Sequence, residues 1–148
     1  MALSDVSDLA RNEEGIAAAL GILKQRFGPH CQTGADIRRQ HAHTTTYIPN
    51  QPPDAVVFAG SSADVQETVR ICAAHRAPVI PFGTGTSLEG HVNAPAGGIS
   101  LDLMRMDRVL QVNAEDLDCV VEPGVTRMAL NEHLRATGLF FPIDPGAN

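Results

Sequence analysis

From Gly83 to His91 the chain reads Gly-Thr-Gly-Thr-Ser-Leu-Glu-Gly-His, residue types suited to gripping an anion. Glycine lets a backbone take positive φ and approach a ligand closely, so Gly83, Gly85 and Gly90 can turn several N–H groups into one concavity. Thr84, Thr86 and Ser87 add hydroxyl donors. No Lys or Arg lies between Ala77 and Met104, so a phosphate on this loop is expected to rest on main-chain and hydroxyl hydrogen bonds. Gly85 and Gly90 have the outer spacing of a P-loop, but His91-Val92 stands where that motif needs Lys followed by Ser or Thr. The phosphate-reaching charge and the magnesium-binding hydroxyl are therefore missing, which argues against nucleotide hydrolysis. A dinucleotide fingerprint needs glycine where Leu88 sits and a helix opening directly from the loop, whereas Asn93-Ala94-Pro95-Ala96-Gly97-Gly98 follows. Loop composition alone also leaves open a solvent-exposed connection with incidental glycines.

Other chemistry-bearing residues are sparser. His41 and His43 can face one side of a strand and ligate a metal, but no Cys, His or carboxylate partner stands at a recognised metal spacing, so a polar loop is expected and no metal. Cys31, Cys72 and Cys119 lie far apart and outside any C-x-x-C pair, as in a reducing compartment, and read as core filler. A net charge of -6 lacks the basic stripe that nucleic-acid binding requires. Met1 to Asp8 carry no basic n-region and no apolar h-region, which predicts a cytoplasmic protein, at most peripheral to the inner membrane.

The 148 residues, 43% hydrophobic and 19% charged, suit one globular domain that must position the loop. Asn12 is a plausible N-cap for a helix carrying Ile16, Leu20, Leu23 and Phe27 and ending at Gly28. From Pro29 to Pro53 the periodicity fades into a connector with one short strand expected near Tyr47. Residues 55–59 read as a strand covered on both faces. Ser61 caps a helix presenting Val65, Val69 and Cys72 and running to about Arg76, and residues 79–82 form the next strand. Such a strand–helix–strand unit makes a right-handed crossover whose ligand site lies beyond the carboxyl ends of its strands, where the glycine loop begins. Residues 99–103 alternate like a strand, and 110–113 and 118–122 read as an antiparallel pair around Ala114-Glu115-Asp116. Thr126 caps a helix bearing Leu130 and Leu134 that Gly138 closes, and Leu139-Phe140-Phe141 begins another strand.

The runs PFGTGTSLEGH, ISLDLMRM and VEPGVTRMALNEHLRATGLFFPIDPGA, in that order, resemble the FAD-binding domain of the vanillyl-alcohol oxidase and p-cresol methylhydroxylase superfamily. Within it they are most similar to the D-lactate dehydrogenase (cytochrome) and glycolate oxidase branch, and the likeness covers roughly Pro53 to the end. It implies an α+β fold of the p-cresol methylhydroxylase type, with a small parallel sheet and helices as first subdomain and the start of an antiparallel second one. Residues 1–52 would then be an N-terminal helix and connector, and 53–148 an incomplete FAD-binding domain.

By the same resemblance Phe82, Gly83, Thr84, Gly85, Thr86 and Ser87 would wrap the FAD pyrophosphate, and Leu88 and Gly90 would shape the wall near the isoalloxazine. Glu122, Pro123 and Gly124 would line the cofactor channel, and Asp144, Pro145 and Gly146 would approach the flavin from the second subdomain. Some relatives attach flavin covalently through a histidine near this loop; His91 does not clearly match that position, so noncovalent FAD is expected. For His91 a hydrogen-bonded loop histidine is the plainer reading, and for Glu122 a solvated strand end stands beside the channel role. The resemblance implies hydride transfer from a D-2-hydroxy acid to flavin and onward electron transfer to a cytochrome or quinone. The base and the cations for the substrate carboxylate would come from beyond this chain, so no catalytic residue is assigned in it. A nonenzymatic domain binding a nucleotide or a partner chain through the same loop is the alternative. A sheet cut after its first strands would also leave an unpaired edge, which predicts self-association.

Overall fold

Asn12 opens the first helix, α1 (Glu13–Phe27), by accepting a hydrogen bond from the Gly15 amide at 3.0 Å. The computed structural model describes residues 10–43 and 46–143. Ile16, Ala19, Leu23 and Phe27 form one buried stripe at helical spacing, and Gly28 ends the helix at φ +52°. A short 3-10 turn (Gly28–His30) leads into β1 (Cys31–Gln32) and α2 (Ala35–Gln40). The strand in this stretch thus lies at Cys31–Gln32, while Tyr47 is exposed and outside any strand. Two residues are too few for an alternation to show, and six polar-rich residues do not complete a recognisable helical period.

β2 (Ala55–Phe58), α3 (Ser62–Ala74), β3 (Val79–Phe82) and β4 (Ile99–Asp102) follow. The sheet order is β1-β2-β4-β3; β2, β4 and β3 are parallel and β1 is antiparallel to β2. β2 and β3 therefore do not pair with each other, since β4 lies between them. Ala55, Val57, Ile99 and Leu101 share one sheet face and join α1, Ile71 and Cys72 in a single core. Val56, Ile80 and Ser100, on the opposite face, are buried too, so β4 is covered on both sides although its sequence alternates.

Ser61 caps α3 through its hydroxyl, which accepts from the Asp64 amide. The buried residues of α3 are Thr68, Ile71 and Cys72, and Val69 is exposed. Val65, Thr68 and Cys72 mark the true stripe at i, i+3 and i+7, and Val69 falls one residue beyond it. The helix stops at Ala74 because the chain turns at Arg76, which adopts φ +52°.

β5 (Val109–Asn113) and β6 (Asp118–Val121) form the expected antiparallel hairpin as a separate two-stranded sheet. α4 (Arg127–Leu134), capped by Thr126, runs into a 3-10 turn that Gly138 ends in the left-handed conformation. Residues 139–143 are not a strand. The amide of Phe141 donates to Asn131 Oδ1 at 2.6 Å, and its carbonyl accepts from Asn131 Nδ2, so one side chain takes the groups a ladder partner would use. Among the described residues no helix is long and apolar enough to cross a membrane.

Candidate functional site

The carboxyl ends of the three parallel strands set the site. Phe58, Asp102 and Phe82 stand in one row of the register, and the glycine loop leaves the sheet directly after Phe82. Gly85 takes φ +71°, and a Cβ there would stand 2.9 Å from Phe82 Cζ. The loop therefore folds back against that ring, an approach only glycine permits. Thr84 and Thr86 exchange a hydroxyl hydrogen bond at 3.0 Å, and Ser87 Oγ lies 2.7 Å from His91 Nδ1.

Facing this loop is the segment that joins β6 to α4. Its Gly124 amide donates to Met106 O at 2.8 Å, and a Cβ on Gly124 would lie 2.7–2.8 Å from the carbonyl oxygens of Leu103, Met104 and Met106. Here backbone rests on backbone. Gly83, Thr84, Thr86 and Ser87 on one side, and Met104 with residues 123–127 on the other, enclose a cleft of ≈ 490 Å³. Thr126 caps α4 at this cleft, so the amino end of the helix, with its partial positive charge, belongs to the lining.

Glu122 is buried, at 8% exposure, and is not part of that lining. Its Oε2 accepts from the Arg108 amide at 2.9 Å and from Arg108 Nε at 3.1 Å, and its Oε1 accepts from Arg108 Nη2 at 2.7 Å. The Arg108 guanidinium and amide hold this carboxyl below its ordinary value. The solvated strand end is thereby corrected: Glu122 ties the end of β6 to the start of β5.

The structure brings Gly83, Thr84, Thr86 and Ser87 together with Pro123 and Gly124, which are distant in sequence. Phe82 and Gly85 lie behind that wall, Leu88 is exposed, and Gly90 packs beside Ile48 instead of lining the cleft. Asp144, Pro145 and Gly146 lie outside the described residues. Met104, Val125, Thr126 and Arg127 also line the cleft, although sequence reasoning did not single them out as site residues. The loop has no cation of its own, yet Arg127 stands in the lining across from it. The available signal was the Thr126-Arg127 step at a helix start, read only as a cap.

Sequence reasoning also missed a buried pair. His41, at the end of α2 and not on a strand, has Nε2 2.9 Å from Asp102 Oδ2, and its ring packs against Phe82 at 4.2 Å between centroids. Among the described residues no cluster of three or more His, Cys, Asp or Glu is arranged to hold a metal. Cys31 and Cys72 are buried in the core, where loss of solvation raises both thiols, Cys72 to about 11.

Hydroxyl-bearing residues, glycines, a helix amino end and an arginine gathered around one open cleft are residue types suited to an anion. Residues 53–148 match a family model described as an FAD binding domain. A probable mitochondrial D-lactate dehydrogenase of Danio rerio is 49% identical over 115 residues, 78% of this chain and 23% of that protein. The glycolate oxidase subunit GlcD of Bacillus subtilis is 34% identical over 95 residues, 64% of this chain and 20% of that protein. Among solved structures, a 4-ethylphenol oxidase from Gulosibacter chungangensis superposes with TM-score 0.74 at 29% identity, covering 88% of this chain and 26% of that one. A p-cresol methylhydroxylase superposes with TM-score 0.72 at 23% identity, over 86% of this chain and 26% of that one. The chain thus spans about a quarter or less of the length of these relatives.

Proposed function

The chain belongs to the family of FAD binding domains, and on that premise we propose that the cleft between residues 83–87 and 123–127 holds the diphosphate of FAD. One observation carries this reading: two separate segments, one rich in glycine and hydroxyls, the other a capped helix start with Arg127, form opposite walls of a single cleft. The open space beside Gly83, where a Cβ would touch nothing within 4 Å, leaves room for a ligand to approach the backbone. Amides and hydroxyls of the loop would donate to the diphosphate from one side, and Arg127 with the amino end of α4 would neutralise it from the other.

Bound FAD supplies a ring that accepts a hydride; the residues of this chain bind and orient the cofactor. The whole protein is proposed to oxidise a small D-2-hydroxy acid such as D-lactate, in keeping with the names of its relatives, and to pass the electrons to a cytochrome or quinone. Noncovalent attachment of the FAD is proposed as well. The chain by itself is proposed to bind the cofactor without turnover. Self-association is proposed as well, through the apolar side chains that β5, β6 and residues 139–143 leave exposed.

The test uses ADP, which carries the diphosphate without the flavin. Titrated into the labelled chain, ADP is expected to shift the amide resonances of Gly83–Ser87 and Gly124–Arg127. Arg127→Ala is expected to weaken binding roughly 10- to 100-fold, the worth of a charge-assisted hydrogen bond. Shifts confined to other parts of the molecule, or equal affinity in the variant, overturn the assignment.

A further inference from the structure

The His41–Asp102 pair, not yet given a role, is buried, with His41 5% and Asp102 6% exposed. Its hydrogen bonds fix its proton content. His41 Nδ1 lies 2.8 Å from the carbonyl oxygen of Ile37, which only accepts, so Nδ1 carries a hydrogen. Nε2 lies 2.9 Å from Asp102 Oδ2, an oxygen of a carboxyl group, so this contact needs one more proton, on the ring or on the acid. Without it, two lone pairs would face each other in a buried site.

From that centre two connections run outward. On one side the His41 ring packs on Phe82, and Phe82 is the surface against which Gly85 folds the loop. On the other, Asp102 Oδ1 accepts from the Met104 amide at 2.8 Å, and Met104 lines the opposite wall of the cleft. We propose that His41 and Asp102 are positioning residues: the pair, sharing one proton, fixes the spacing between the glycine loop and the Met104 wall and so pre-forms the anion cleft. The cleft's role as a cofactor site rests on the function proposed above; the mechanical link does not.

Three variants separate this from simple filling of space. His41→Phe keeps an aromatic ring on Phe82 but removes both ring nitrogens, leaving the Asp102 carboxylate buried and alone. Asp102→Asn keeps the shape: its amide donates to a neutral His41 and its oxygen still accepts from Met104. Asp102→Leu fills the volume and breaks both bonds. Two readouts need no ligand: the ring-current shift of the Gly85 Hα protons against Phe82, and hydrogen exchange at the Met104 amide.

In wild type and Asp102→Asn both readouts are expected to agree. In His41→Phe and Asp102→Leu the Gly85 shift is expected to collapse and Met104 to exchange on the order of 10-fold faster, while amides of α1 and α3 keep their protection. The nitrogen spectrum of the His41 ring in wild type should show Nδ1 protonated and Nε2 sharing a proton with Asp102, and in Asp102→Asn Nδ1 protonated and Nε2 a plain acceptor. Unchanged readouts in His41→Phe overturn the proposal. Should that variant fail to fold, a wild-type Nε2 with the shift of a nitrogen in no hydrogen bond overturns it, and an Nε2 that is protonated or accepts a proton from Asp102 supports it. If the Gly85 and Met104 signals respond as stated but no variant alters ADP binding, the positioning stands and the cofactor reading fails.

Discussion

At Gly124 any side chain would drive into three carbonyl oxygens at 2.7–2.8 Å, so the residue is dictated by the contact between residues 123–125 and 103–106. Gly124→Ala must move one backbone away from the other, at a cost of about 1–3 kcal/mol, typical of overpacking. Urea melts should show that loss together with weaker ADP binding. Beside it, Glu122 makes stability depend on pH. Its carboxyl is held by Arg108 below its ordinary value, so the folded chain releases that proton at lower pH than the unfolded chain does. The stabilisation is complete above the ordinary glutamate value, about 4.3, and disappears as the pH falls through the folded value. Thermal melts recorded from about pH 6 down to about pH 3 should show a declining midpoint, with a shallower decline in Glu122→Gln. The part that remains includes Asp54, whose carboxyl burial pushes up but which Arg11, the Gly98 amide and Arg38 together bring below its ordinary value. The glycines of the loop were legible because their chemistry is local. His41 and Asp102 were not, because each has its partner across the fold, and nothing near Asp102 in sequence announces a histidine at the end of α2.

Asn12 works at the scale of an element. Its Oδ1 accepts from the Gly15 amide, and its Nδ2 donates to His75 O at 3.0 Å and to Arg76 O at 3.3 Å. One side chain therefore caps α1 and fastens it to the turn that ends α3. Asn12→Ala should cost about 1–2 kcal/mol, the upper range for a lost cap, and Asn12→Asp, which keeps the cap and loses both donors, should fall between. Midpoints of urea unfolding measure both. Elements with several turns or with four apolar residues in a row, α1, α3, β2 and β3, could be read from the sequence because burial repeats along them. β1 and α2 could not, being shorter than the period that identifies them. Residues 139–141 have the composition of a strand but lack a ladder, since pairing is decided by the neighbour and not by propensity.

On the scale of the molecule, apolar side chains divide unevenly. The parallel sheet buries its own on both faces, whereas Leu110, Leu117, Val120, Met128, Phe140 and Ile143 are each at least 49% exposed. Exposed apolar surface of this kind favours association. Size-exclusion chromatography over a concentration series should show the chain eluting larger than a monomer, with hydrophobic dye binding that falls as the oligomer forms. A monomer at every concentration that binds no dye contradicts this. The two-sheet α+β plan was legible in the sequence, while the insertion of β4 between β2 and β3 was not, because strand order leaves no local mark. That insertion also dictates a schedule. As the polypeptide emerges from a ribosome, β2 and β3 appear first, and neither has its parallel partner until Ile99–Asp102 clears the exit tunnel. Closure of the sheet therefore waits for β4, and the strand edges that β4 will fill stay unpaired for longer than in a sequentially paired sheet.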